Sequence, residues 1–407
     1  MQTEAAKVPR RCWICTISPT LSGTAVSKKM INFDNAATTF PKPVSVCRAA
    51  AEAIRIYGGN AGRGGHELAM RTSEALYSAR ETAAVLFGAE PENTVFTLNC
   101  THALNMAIQG VMSGGGHLII SSMEHNSAAR PAAALAVRKQ ITLSVAEVFN
   151  DSEQTAESFR KLIRSDTKAI VCTLASNVTG QLLPYHMIAE LCREHGICFI
   201  ADGSQVCGIY DIKMSDGINI LCTSGHKGLY GITGTGLLIT DGKYRITPII
   251  QGGTGSGSLS LFQPDILPDS LESGTPNIIG AITLGAGIKF IRSYGIDRIR
   301  SHEERLCMRF ISEMNKADNI SVLREKGVEY APIVSFNAEG LTSEKTAAAL
   351  AEKGFCLRAG YHCAALAHAT LGTKGGTVRF SPSVFNTEAE VEKLVYNVKI
   401  LKKLQYS

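Results

Sequence analysis

The chain of 407 residues is 45% apolar and 19% charged, with a formal net charge of +5. Such a length exceeds one ordinary domain and predicts two or three. The charge is small and no basic stripe is interleaved with aromatics, which excludes a nucleic-acid surface, and no apolar run reaches transmembrane length, which excludes a spanning helix.

Residues 1–29 carry Arg10, Arg11, Lys28 and Lys29 and only a brief apolar patch around Trp13. The patch is too short for a secretory signal, and the segment is expected to be a disordered extension. From Ile31 to Pro43 a short extended run is closed by two prolines, and a helix is predicted over 44–56. A glycine-rich loop at 58–65 leads to His66, and a second amphipathic helix is predicted over 71–87.

Alternation then sets in. Strands are predicted over 94–98, 117–121, 142–148, 169–174, 197–201, 218–221 and 236–240, with helices over 103–111, 128–138 and 187–195. This order implies right-handed crossovers and a mainly parallel α/β sheet covered on both faces. Ligands bind such sheets beyond the carboxyl ends of the strands, where the sequence places Thr101, His125, Asn177, Asp202 and Lys227. A second glycine run at 252–257 and a long loop follow. Helices over 278–294, 296–316, 343–353 and 387–404, with strands over 334–336 and 376–380, read as a smaller mixed domain.

Twelve cysteines are scattered through the chain, mostly within apolar runs. They read as small buried hydrophobes in a reducing compartment, so a cytoplasmic location without disulfides is expected. Cys12 and Cys15 form a single Cys-x-x-Cys with no second pair beside it, so no metal site is expected. A non-enzymatic thiol- or metal-binding protein built on that pair is the alternative from another class.

Lys227 lies between His226 and Gly228 at the end of an apolar strand. An amine in a desolvated pocket loses preference for the charged form and can hold a carbonyl as a Schiff base. A surface turn lysine is the competing explanation. Asp202 can pair with a protonated pyridine nitrogen or cap a turn. Thr101, after a strand and opening a helix, can hold a phosphate or serve as an N-cap. Cys363, beside His362 and near Arg358, is expected to ionise readily and so is a candidate nucleophile, with a loop cysteine present by chance among twelve as an equal alternative. Arg379 is a candidate fork for a substrate carboxylate, with a surface-strand arginine as the competing explanation.

The motifs Asn35-Ala-Ala-Thr-Thr39, Met123-Glu-His-Asn126, Ser176-Asn-Val-Thr-Gly180, Asp202-Gly-Ser-Gln205, Ser224-Gly-His-Lys227, Glu272-Ser-Gly-Thr-Pro-Asn277 and Arg358-Ala-Gly-Tyr-His-Cys363 occur in this order. As a set they resemble the class V aminotransferase family, and more closely its cysteine desulfurase and selenocysteine lyase branch of the SufS type. The resemblance implies a fold-type I transferase dependent on pyridoxal 5'-phosphate, with a mainly parallel seven-stranded sheet in a large domain and a smaller α+β domain. Residues 30–55 would pack with the small domain, 56–280 would form the large cofactor-binding domain, and 281–407 the small C-terminal one.

By the same resemblance Lys227 would be the Schiff-base lysine and Asp202 the pyridinium partner. His125 would stack on the ring, Gln205 would bond its phenolic oxygen, and Asn177 would lie near substrate and ring. Thr101, Ser224 and His226 would hold the phosphate, joined by Thr275 from the second subunit of a homodimer. Arg379 would bind the substrate carboxylate, with Arg358 nearby, and Cys363 would accept sulfur. The implied reaction converts L-cysteine to L-alanine, with a sulfur-acceptor protein downstream and a place in iron–sulfur cluster biogenesis. L-selenocysteine cleavage, transamination and epimerisation are the related alternatives. Two departures stand out: Cys100-Thr101-His102 replaces paired hydroxyls in the phosphate turn, and Gly228 is an additional residue after the lysine.

Overall fold

A computed structural model describes residues 30–62 and 64–401. The expected extension at 1–29, with Cys12 and Cys15, and the end of the last predicted helix lie outside the described residues.

In chain order the elements are β1 (Ile31–Asn32), α1 (Val44–Ile56), α2 (Glu67–Phe87), β2 (Thr94–Thr97), α3 (Cys100–Val111), β3 (His117–Ser121), α4 (Asn126–Val137), β4 (Thr142–Ala146), α5 (Ser152–Leu162), β5 (Thr167–Thr173), α6 (Tyr185–His195), β6 (Cys198–Asp202), β7 (Ile220–Ser224) and β8 (Gly236–Thr240). There follow α7 (Ile278–Tyr294), α8 (Ile296–Met314), β9 (Ile320–Val322), β10 (Val334–Ala338), α9 (Ser343–Glu352), β11 (Phe355–Cys356), β12 (Arg358–Gly360), α10 (Ala365–Thr370), β13 (Thr377–Phe380) and α11 (Glu388–Lys399).

The large sheet has seven strands in the order β2-β8-β7-β6-β5-β3-β4. Only β8 runs antiparallel to its neighbours, β2 and β7; the remaining pairs are parallel. Strands β3, β6, β7 and β8 are buried along their whole length, which is why they read as continuous apolar runs rather than alternating ones. Separate hydrophobic clusters cover the two faces, one including Phe159, Phe199 and Leu221, the other Leu104, Ile120 and Ile220. The first also takes in Leu284, Ile288, Ile291 and Ile299, so α7 and the start of α8 pack on the large sheet.

A four-stranded sheet, β12-β13-β10-β9, packs with α8 and α11 around Phe310, Phe336 and Phe380. The N-terminal segment joins this smaller core: β1 pairs with β11, and fully buried Phe33 lies 4.8 Å from Phe380, ring centroid to centroid. Helix α1 packs instead on α7. Helix α5 was not expected from the sequence. It buries only Thr155, Ala156 and Phe159, a stripe too narrow to stand out, and is started by Asp151 Oδ1 accepting from Gln154 N at 2.8 Å.

Candidate active site

Strand ends and the turns after them enclose a cavity of about 300 Å³ lined by Asn99, Cys100, Thr101, His125, Ser127, Thr173, Asn177, Asp202, Ser204, Gln205, Ser224, His226 and Lys227. It brings together eight of the residues singled out in the sequence: Thr101, His125, Asn177, Asp202, Gln205, Ser224, His226 and Lys227. Parallel β5, β6 and β7 lie side by side, so Asn177, Asp202 and Lys227 follow neighbouring strand ends.

Burial pushes the Lys227 amine below its usual range, opposed by Asp202. Its backbone is clamped: Lys227 O accepts from Thr39 Oγ1 at 2.8 Å, while His226 O accepts from Thr39 N at 3.1 Å and Lys42 Nζ at 2.8 Å. Gly228 fits this turn because a Cβ there would lie 2.4 Å from Cys207 O. The residue after the lysine is therefore held by a close backbone approach that no side chain permits.

Asp202 is buried, and its Oδ1 accepts from Ser204 N at 2.9 Å and from Cys100 Sγ at 3.4 Å. Burial raises the Cys100 thiol far above its usual range, so it stays a donor. Helix α3 is capped by Asn99, whose Oδ1 accepts from His102 N at 2.9 Å. Thr101 is thus not the N-cap, and its hydroxyl lies on the cavity wall at the positive end of the helix.

His125 Nδ1 accepts from Ser127 N at 3.0 Å, which leaves the ring proton on Nε2. Burial lowers its pKa to about 4, so it is neutral at pH 7. His226 is likewise lowered to about 4, first by burial and then by Lys227 and Lys42. Beneath His125 lies fully buried Glu124, whose Oε1 accepts from Ser121 Oγ at 2.5 Å and Thr173 N at 2.7 Å. Burial raises that carboxyl to about 8.

The Cys363 loop is fastened to this cavity. Asn177 Nδ2 donates to His362 O at 2.8 Å, and Asn126 N donates to Cys363 O at 2.8 Å. His362 and Cys363 both take left-handed backbone conformations, φ 49° and 56°. These are uncommon for residues with a Cβ and persist here because both carbonyls are tied down. Cys363 itself is exposed. One expectation is corrected: His362 is only 4% exposed and burial drives its pKa down to about 2, so it is neutral and gives the thiol no positive charge.

Arg379 is buried, and Arg358, its partner in register on the adjacent strand, is exposed. The Arg379 guanidinium donates to Asn177 O at 2.8 Å and to Asp34 Oδ1 at 3.0 Å. Thr275 does not line the Lys227 cavity; it borders a second one of about 360 Å³ with Tyr77, Arg80 and His102. Sequence reasoning missed Asp34, Lys42 and Glu124 as site residues. The signal available was position: Asp34 and Lys42 flank the Asn35–Thr39 motif, and Glu124 precedes His125.

Within the cavity, Ser224 Oγ, His226 Nδ1 and Asn177 Oδ1 are buried without partners among the described residues. Buried polar groups seldom go unpaired. The Ser224 hydroxyl and the leading amides of α3 are donors suited to a phosphate, while Asn177 Oδ1 and the Asp202 carboxylate are acceptors, a set matched to a phosphorylated aromatic ring with a protonated nitrogen. The residues present fit pyridoxal phosphate.

This fold and constellation define a class: residues 31–394 match the Aminotransferase class-V family, and the chain belongs to it. The family's cofactor is pyridoxal phosphate. The chain is 31% identical to a probable cysteine desulfurase of Pyrococcus abyssi, over 90% of this chain and 93% of that one. It is 30% identical to a probable cysteine desulfurase of Methanothermobacter thermautotrophicus, over 88% and 92%. The apo structure of cysteine desulfurase from Thermococcus onnurineus NA1 superposes with a TM-score of 0.85 at 29% identity, covering 92% of this chain and 95% of that one.

Proposed function

We propose that this protein is a pyridoxal-phosphate-dependent cysteine desulfurase that converts L-cysteine to L-alanine and passes the sulfur to Cys363 as a persulfide. The observation that carries this reading is the fastening of the Cys363 loop, through Asn177 and Asn126, to the cavity that holds Lys227 and Asp202. The relatives' names support the same substrate.

Bound at this site, the cofactor supplies an electron sink for the charge left when the substrate Cα–H bond breaks. Asp202 would hold the ring nitrogen, Gln205 the phenolic oxygen, and neutral His125 would pack against the ring. Thr101, Ser224 and His226 would hold the phosphate. Lys227, whose amine burial keeps from its full basicity, takes the Cα proton. The Cys363 thiolate forms a bond to the substrate sulfur as the carbon–sulfur bond breaks. The electron pair stays with the Cβ carbon, which takes a proton, Lys227 returns the proton to Cα, and alanine leaves. Arg379, with Arg358 at the rim, takes the substrate carboxylate. Thr275 serves the site of a second copy in a homodimer, and an acceptor protein removes the sulfur.

Cys363→Ala keeps the cofactor's absorbance and loses sulfur transfer. A variant that still forms alanine and persulfide from L-cysteine at the wild-type rate refutes the assignment.

A further inference from the structure

Arg379 has five N–H donors and few partners. It is 2% exposed; Nη1 is taken by Asn177 O and Nη2 by Asp34 Oδ1, while Nε is buried with no partner among the described residues. An unpaired guanidinium donor in a buried site is costly unless a ligand completes it, and a carboxylate that forks across Nε–H and a neighbouring N–H is the matching acceptor.

What fixes the guanidinium is a residue 345 positions away in sequence. Asp34 is itself pinned on both sides: its N–H donates to Asn32 Oδ1 at 3.1 Å, its carbonyl accepts from Ala37 N at 3.1 Å, and it bridges to Ser381, two residues beyond Arg379. The next residues extend the same strap, with Ala36 N donating to Ser381 Oγ at 3.0 Å and Ala36 O accepting from Gln205 Nε2 at 3.3 Å. The segment therefore joins the small sheet to the cavity wall and presents one carboxylate to Arg379.

We propose that Asp34 is a positioning residue for substrate: it holds Arg379 by one terminal nitrogen so that the unpaired Nε edge receives the α-carboxylate of the amino-acid substrate. The inference rests on the reading of Arg379 as the carboxylate site. Asp34 touches no substrate atom in this scheme. Its ion pair with Arg379 offsets part of the guanidinium charge, so the geometry of the donors contributes to holding a carboxylate.

The test compares ligands with and without a carboxylate on the cofactor-loaded protein. L-Alanine and L-alaninamide are titrated by absorbance into wild type, Asp34→Asn and Asp34→Glu, and kcat and KM are measured for L-cysteine. Asp34→Asn is expected to weaken L-alanine about tenfold, an ordinary magnitude for a charged hydrogen bond, and to raise KM for L-cysteine in step. Alaninamide binding stays unchanged, and Asp34→Glu, which keeps the carboxylate, restores most of the loss. Equal weakening of both ligands, which a merely structural role produces, overturns the proposal, as does unchanged or tighter L-alanine binding or failure of Asp34→Glu to rescue. Wild type that binds L-alanine and alaninamide equally refutes the carboxylate reading of Arg379 and this inference with it. Wild type that binds L-alanine but forms none from L-cysteine refutes the desulfurase reading alone.

Discussion

Glu124→Gln is expected to stabilise the protein increasingly as pH rises. The wild-type carboxyl is fully buried, and among the described residues only Oε1 has partners, the Ser121 hydroxyl and the Thr173 amide; Oε2 has none. A glutamine oxygen accepts both bonds equally well, and its NH2 replaces the unpartnered atom. Burial raises the pKa from 4.5 to about 8 in the folded protein. The folded state therefore keeps a proton that the unfolded chain releases, and stability present below pH 4.5 is lost as pH rises toward 8. A gap of about 3.5 units corresponds to about 5 kcal/mol in all, of which about 2 is already lost by pH 6. Glu303, raised to about 8 by its own burial, titrates in wild type and variant alike and cancels in the comparison. Denaturant unfolding of both proteins at pH 6 and pH 9 should show the variant gaining about 3 kcal/mol on wild type between the two. Parallel profiles would mean that the carboxyl is ionised in the fold and the reasoning wrong.

Gly228→Ala forces a Cβ to within 2.4 Å of Cys207 O and should cost about 1–3 kcal/mol while shifting the turn that carries Lys227, read as a lower Tm together with weakened cofactor absorbance. Glu272→Gln breaks a two-bond pair with Arg80, at 2.6 and 2.8 Å and with side chains only 13% and 7% exposed, and should cost about 3 kcal/mol in denaturant unfolding. His125 is held neutral, with a pKa near 4, so its ring resonances, identified by their loss in His125→Ala, should not titrate around the usual pKa of roughly 6.5. Lys227→Ala should abolish the lysine-dependent absorbance of the bound cofactor, read by spectrophotometry at neutral pH.

The large sheet was legible because most of its strands are buried on both faces. Continuous apolar runs such as 117–121 and 236–240 leave little choice of element, and both match β3 and β8 to the residue. The polar residues that end those runs had to meet at one edge of a parallel sheet, so Thr101, His125, Asn177, Asp202 and Lys227 were visible as a group. Helix α5 was not, because its buried face is three small or isolated residues.

Charge states were also hidden. His362 stands beside Cys363 in the chain, but its side chain turns inward to Thr377 Oγ1 at 2.9 Å, and burial removes the charge expected of it. The pairing of Asp34 with Arg379 spans nearly the whole chain and leaves no periodic trace. The role of Gly228 depends on the approach of a separate turn at Cys207, which adjacent sequence does not encode.

The most direct test of the central claim is peptide mass mapping of the cofactor-loaded protein after addition of L-cysteine, with alanine measured in the same sample. With twelve cysteines in the chain, location decides the matter. One added sulfur is expected on Cys363, reversible by thiol and accompanied by an equivalent of alanine. Alanine formation with unmodified Cys363, or sulfur on another cysteine in its place, would contradict it.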